Sequence, residues 1–170
     1  MLKKFPLVLA CSVALGTPVY AGSLENLIQS GVLPKAPSKP ISSTKLLNRV
    51  VDGNNETVIS LTVRPAYARA PIHTHPVGGA ACVLQGEETL YIENESPIRV
   101  TAPGCYYMPA NKRMTAYNSG NIVNMTYDIF KGPKGFTAIN VVEKDYIVQF
   151  SNQFGDQSQK ADPAATSHQH

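Results

Sequence analysis

The stretch Pro71-Ile72-His73-Thr74-His75-Pro76, continued by Cys82-Val83-Leu84-Gln85-Gly86-Glu87, decides the reading of this chain. Two imidazoles stand two residues apart between prolines, and a short apolar run then closes on a glycine. In an extended chain, side chains at i and i+2 leave the same face. His73 and His75 therefore project together into an interior or together away from it. Two convergent imidazoles begin a metal site, although a transition metal normally takes a third protein ligand or more. The plainer reading is a hydrogen-bonded polar pair inside a fold that binds no metal. His168 and His170 repeat the spacing near the C-terminus, where ordering a flexible tail around an ion costs entropy, so they read as solvated.

Around that stretch, from residue 45 to 150, short runs rich in Val, Ile, Tyr and Thr alternate with Gly, Pro and Asn clusters at intervals of roughly ten residues. The runs place strands at 45–51, 57–63, 72–75, 80–84, 89–93, 98–100, 105–108, 114–118, 122–130, 136–142 and 146–150. So many short strands predict an all-β sandwich or jelly-roll barrel, because closing or doubling a sheet hides its edges. Ahead of them, Ser23 caps a short helix with Leu24, Leu27 and Ile28 on one face and Gly31 beyond its end. Pro34, Pro37 and Pro40 make residues 32–42 a stiff linker outside the core. After Phe154 the chain turns polar and small and reads as a disordered tail.

Residues 1–21 carry Lys3 and Lys4, an apolar run from Leu7 to Leu15 and the small-residue end Val19-Tyr20-Ala21. That is the pattern of a secretory signal peptide cleaved before Gly22. Ser12, Gly16 and Pro18 interrupt the run, which falls short of the ~20 apolar residues of a spanning helix. Cys11 after Val8-Leu9-Ala10 weakly resembles a lipoprotein processing site, but the apolar region before it is short for one, and ordinary cleavage is the reading taken. The expected location is periplasmic or secreted, with no membrane contact after cleavage. The chain then divides into a signal peptide (1–21), an arm with the short helix and the proline-rich linker (22–43), a barrel domain (44–151) and a polar tail (152–170).

Removing Lys3 and Lys4 with no acid lowers the formal charge from +3 to +1, which leaves a nucleic-acid role without electrostatic support. About 150 residues remain, enough for one domain with one core. With Cys11 removed, Cys82 and Cys105 are an even pair in an oxidising compartment.

The segment Arg64-Pro65-Ala66-Tyr67-Ala68-Arg69-Ala70-Pro71-Ile72-His73-Thr74-His75-Pro76, with Cys82 to Glu87, is similar to the first motif of the cupin family. Pro103-Gly104-Cys105-Tyr106-Tyr107-Met108-Pro109-Ala110-Asn111, ending at Asn118, resembles the second. The resemblance spans residues 64–118 and implies a cupin-type jelly-roll barrel. His73 and His75 match the family's first two metal ligands, Gly86 its turn glycine, Pro109 its proline and Asn118 its asparagine. Two positions depart: the metal-binding Glu is replaced by Gly79 and the third His by Met114. Tyr67 also stands where the first motif begins with Gly, and the Gly104 to Pro109 gap is one residue short. The iron or manganese dioxygenase chemistry of the family is therefore not implied here.

Two imidazoles with a thioether suit copper, Cu(I) above all. His73, His75 and Met114 are thus the candidate set for a divalent or copper ion. The rival role of Met114 is a flexible filler of the barrel interior. Function is expected to be binding of a metal ion or a small-molecule ligand in the barrel. If the protein is an enzyme, the metal is its Lewis acid or oxygen activator. The alternative is a metal-free small-molecule carrier or structural module. Family habit adds a homodimer. The resemblance also puts Cys82 and Cys105 on neighbouring strands, where they form either a disulfide or two buried thiols. Among other polar residues, Asp128 interrupts an apolar run and is either turned outward, the reading taken, or a buried acid needing a partner. Glu87 and Glu88, beside the Gly86 turn, are expected on the surface. Tyr91, Tyr106 and Tyr107 either line a pocket or pack on the outside, with packing the reading taken.

Overall fold

The computed structural model describes residues 22–143 apart from 41 and 52. The segment read as a signal peptide, the strand expected at 146–150 and the polar tail lie outside the described residues. Within them the chain forms one helix, α1 (Leu24–Gln29), and ten strands. These are β1 (Ser42–Val51), β2 (Asn55–Arg64), β3 (His73–Thr74), β4 (Gly79–Gln85), β5 (Glu87–Ile92), β6 (Ile98–Thr101), β7 (Gly104–Met108), β8 (Met114–Tyr117), β9 (Asn124–Pro133) and β10 (Asn140–Val141).

The strands pair into two antiparallel sheets, ordered β1-β2-β9-β4-β7 and β10-β3-β8-β5-β6. The all-β jelly-roll expectation holds. Gly86 alone separates β4 from β5 and carries the chain from one sheet to the other. Its φ of +75° and the backbone of Val123 and Asn124, 3.2–3.3 Å from where a Cβ would stand, both demand glycine there. Two expected strands shrink. Pairing survives in 72–75 only at His73–Thr74 and in 136–142 only at Asn140–Val141, the latter after a turn at Gly135 with φ +78°.

One core cluster joins Ala81, Val83, Leu90, Ile92, Tyr106, Met108, Met114 and Phe130. Burial of such side chains, at roughly 25 cal/mol per Å² of apolar surface, is the main force closing the barrel. A second cluster packs Leu24, Leu27 and Leu33 on Ile72. Ser23 caps α1 as expected, its Oγ accepting from the Asn26 N–H at 3.2 Å. The arm is not a linker outside the core, however. Leu33 is fully buried, and the Arg69 guanidinium holds the carbonyls of Pro34 and Lys35 at 2.6 and 2.8 Å. An apolar residue just ahead of the prolines lets the arm dock, which its proline content alone does not reveal. Cys82 and Cys105 face each other in the β4–β7 register and form a disulfide.

Strand parity differs from that of an ordinary half-buried sheet. Along β2 and β9 the residues facing the interior include Ser60, Thr62, Arg64, Thr126, Asp128 and Phe130. Ile59, Leu61, Val63, Met125, Tyr127 and Ile129 take the other parity and are half-buried on the outer face.

Candidate functional site

The two sheets enclose a cavity of about 700 Å³, a size ordinary for a small-molecule site. Its walls are mostly apolar, with Ala70, Leu90, Met108, Ala116, Phe130, Ile139 and Val141 among the lining residues. Two polar groups interrupt them.

The first is the histidine pair. His73 on β3 and His75 just beyond it both point inward and are buried. His73 Nδ1 lies 2.8 Å from the Pro71 carbonyl and His75 Nδ1 lies 2.6 Å from the Ala138 carbonyl. A carbonyl only accepts, so these contacts assign the proton to Nδ1 in both rings and leave both Nε2 lone pairs free. Those two Nε2 atoms face each other at 3.1 Å. Bare lone pairs repel at that distance, so the pair suits a shared positive centre. Burial holds the His73 pKa down at about 4, with the neighbouring His75 and Arg64 acting in the same direction, and burial lowers His75 as well. A proton is therefore a costly occupant between them.

The fit to a metal ion is partial. A separation of 3.1 Å is what two nitrogens show when both bind one ion at ~2.0–2.1 Å and roughly a right angle. The Nδ1–H···O=C contacts are the outer-shell bonds that orient metal-binding imidazoles. Yet among the described residues no group of three or more His, Cys, Asp and Glu side chains is placed to hold a metal. Gly79, where the family resemblance expects a carboxylate, shows why. A Cβ there would stand 2.4 Å from the Phe130 ring, and that ring also stacks on His75 with centroids 4.7 Å apart. Phe130 occupies the space of the missing ligand. Met114 lies directly opposite His73 in the β3–β8 register and is fully buried in the core cluster. The thioether on the cavity wall belongs to Met108, which pairs with Gly79 across β4 and β7.

The second polar group is an acid wall the sequence reading placed elsewhere. Glu88 is 3% exposed, not a surface residue. Its carboxylate accepts from the Tyr106 hydroxyl and from Asn124 Nδ2, the latter at 2.7 Å. Tyr106 is buried and lines the cavity, and burial, with Glu88 beside it, pushes its hydroxyl well above the usual phenol range. Asp128 faces the cavity instead of solvent and accepts from the Thr62 hydroxyl at 2.9 Å. Burial first and Glu88 second raise its pKa from 3.8 to about 7, against the pull of Thr62 and Arg64. Tyr107 and Glu87 do lie at the surface side: Tyr107 is 63% exposed, and Glu87 pairs with Arg99 at 2.5 Å. Asn118 is buried and supports the chain around Arg64, its Nδ2 donating to the Arg64, Pro65 and Ile122 carbonyls.

Such a two-sheet barrel, with an internal cavity reached by inward polar side chains, defines a double-stranded β-helix protein. Neither a protein-family model nor a curated protein sequence matches the chain. Solved structures do. One is an uncharacterised protein with a double-stranded β-helix domain from Klebsiella pneumoniae, 20% identical, with TM-score 0.50, over 64% of this chain and 84% of that one. Another is an RmlC-like cupin protein from Methanocaldococcus jannaschii, 23% identical, with TM-score 0.43, over 56% and 86%. A DMSP lyase from Ruegeria pomeroyi is 18% identical, with TM-score 0.49, over 61% and 52%. The fold is a double-stranded β-helix, the jelly-roll barrel that the resemblance in residues 64–118 implies.

Proposed function

We propose that this cupin-fold protein holds a metal ion between His73 and His75 and binds a small organic ligand beside it in the barrel cavity. One observation carries the reading: two Nε2 atoms converge at 3.1 Å while each Nδ1 is committed to a carbonyl. When bound, such an ion supplies Lewis-acid polarisation at its remaining open positions. With two imidazoles and the thioethers of Met108 and Met114 nearby, copper is the favoured ion. The protein is read as exported to the periplasm or secreted. The Cys82–Cys105 disulfide supports an oxidising compartment. The half-buried outer face bearing Leu61, Val63 and Tyr127 supports a homodimer.

Metal analysis of protein purified from its exported compartment tests the reading against a His73→Ala/His75→Ala variant. About one equivalent in the wild type and almost none in the variant is the expected result. Equal, near-zero metal in both sinks it. In copper titrations, Met114→Leu and Met108→Leu report which thioether ligates by a weakened affinity. The metal-free alternative draws on the same Gly79 and Phe130 packing, which leaves the histidine pair without a third ligand.

A further inference from the structure

Arg64 sits at the end of β2, lines the cavity and is 7% exposed. A buried guanidinium normally spends its five N–H donors on carbonyls or carboxylates. Among the described residues the Arg64 guanidinium makes one hydrogen bond, a long one of 3.4 Å from Nη1 to the Ser38 carbonyl, and its Nε has no partner. No ion pair reaches it from any described carboxylate.

The lack of partners is concentrated around this residue. Among the described residues the buried side-chain nitrogen and oxygen atoms without a hydrogen bond are Arg64 Nε, Ser38 Oγ and Asn124 Oδ1. Ser38 is the residue whose carbonyl Arg64 touches, and Asn124 is its register partner across β2 and β9. Unpaired buried polar atoms are uncommon and expensive. Ser38 and Asn124 are not among the lining residues while Arg64 is, so the guanidinium is the group of this cluster that a cavity ligand can meet.

The two nearby acids do not complete it. Both Glu88 oxygens are engaged, by Tyr106 and Asn124, and the Asp128 carboxyl is held by Thr62. With its pKa near 7, Asp128 is also largely neutral in mildly acidic solution and leaves the Arg64 charge unmatched. Leu90, Ala116, Ile139 and Val141 make much of the remaining wall apolar, beside the hydroxyls of Ser43, Ser60 and Thr126 and the histidine pair.

We infer that Arg64 is the anchor for a ligand carboxylate, and that the cavity takes a small, largely apolar monocarboxylic acid. A planar guanidinium matches a carboxylate with paired donors, and such charge-assisted bonds are the strong ones. The inference deepens the cavity reading above and rests on the cavity being a ligand site, but it does not need the metal.

The test is titration calorimetry on chelator-treated protein with hexanoate and benzoate against hexanamide and benzamide, which match them in shape and lack the charge. Both acids should bind and both amides should bind at least about tenfold more weakly, a comparison that requires no variant. Arg64→Met should weaken the acids by about ten- to hundredfold and leave the amides alone, with Arg64→Lys between. Absence of acid binding, equal binding of acids and amides, or unchanged acid affinity in Arg64→Met overturns the inference. The same titrations on metal-loaded protein separate the two proposals. Acids that bind only with metal present, and without regard to Arg64, leave the metal reading standing and this one fallen. Acid binding that needs Arg64 in protein that takes up no metal has the opposite meaning.

Discussion

Arg64 and Arg69 stand five residues apart, one at the end of β2 and one within the loop that leads into the histidine pair, and both are buried. Arg69, with no exposed surface, is saturated. Its Nε donates to the Pro34 carbonyl, Nη1 to Ala70 and Glu143, and Nη2 to Lys35 and Glu143, all within 3.0 Å. Glu143 in turn accepts from the Ile72 N–H at 2.8 Å, one residue before His73. Arg64 makes a single long contact and faces open space. The same side chain, equally hidden, is a structural clasp in one place and an unfinished site in the other. Burial does not separate the two roles, but hydrogen-bond saturation does.

The largest effect should fall on the clasp. Arg69→Met leaves the Glu143 carboxylate without its cation and takes the guanidinium from the Pro34 and Lys35 carbonyls at once, so a loss of about 3–5 kcal/mol is expected in denaturant unfolding. Because Pro34 and Lys35 lose their holder, the arm should also become cleavable near residues 33–36 before the barrel unfolds. A loss under about 1 kcal/mol, with no new cleavage, would erase the distinction between the two arginines.

Asp128, which faces Arg64's side of the cavity, sharpens the comparison through pH. Its folded pKa of about 7 lies above the ordinary value of 3.8. Between those two values the native state keeps a proton that the unfolded chain has released, so its contribution to stability falls as pH rises through the window and is level above 7. Asp128→Asn removes that cost. The gain should be near zero at pH 4 and positive at pH 8, about 4 kcal/mol for a dry cavity and about half that with water in it. An equal change at both pH values would mean that the fold does not raise the Asp128 pKa.

Much of the barrel was legible because its signals are local. The short Val, Ile and Tyr runs gave the strands, Gly86 a turn, and the His-x-His spacing a direction shared by both rings, though not whether it was inward. The polar wall was not legible, for one physical reason. In β2 and β9 the interior parity carries Ser60, Thr62, Arg64, Thr126 and Asp128, while the outward parity carries Ile59, Leu61, Val63, Tyr127 and Ile129. Period-two alternation is present, but a strand lining a polar cavity wears the pattern of one facing solvent, and alternation cannot supply the phase. The usual assumption of apolar inside turned Asp128 outward, and nearness to the Gly86 turn put Glu88 on the surface. One clue was available: two neighbouring strands whose outward faces would both have been strongly apolar. The disulfide was legible only through the family resemblance, since strand neighbours 23 residues apart cannot be named from spacing alone.

The smallest stability effect belongs to Arg64 itself, and its smallness is the informative part. Arg64→Met removes one 3.4 Å hydrogen bond and a buried charge whose Nε has no partner, and it puts an apolar chain of similar length against a largely apolar wall. Replacing an uncompensated buried polar group by a well-shaped apolar one is close to neutral or stabilising. The expected change in unfolding free energy is therefore within about 0.5 kcal/mol of zero or on the stabilising side. Loss of the Arg64 charge also exposes Asp128 and Glu88 to each other, so any gain should be largest below pH 7, where Asp128 keeps its proton. A loss approaching that of Arg69→Met would show that Arg64 is a clasp after all, with partners inside the fold. A near-zero change would leave it as a charge that the folded chain carries without using.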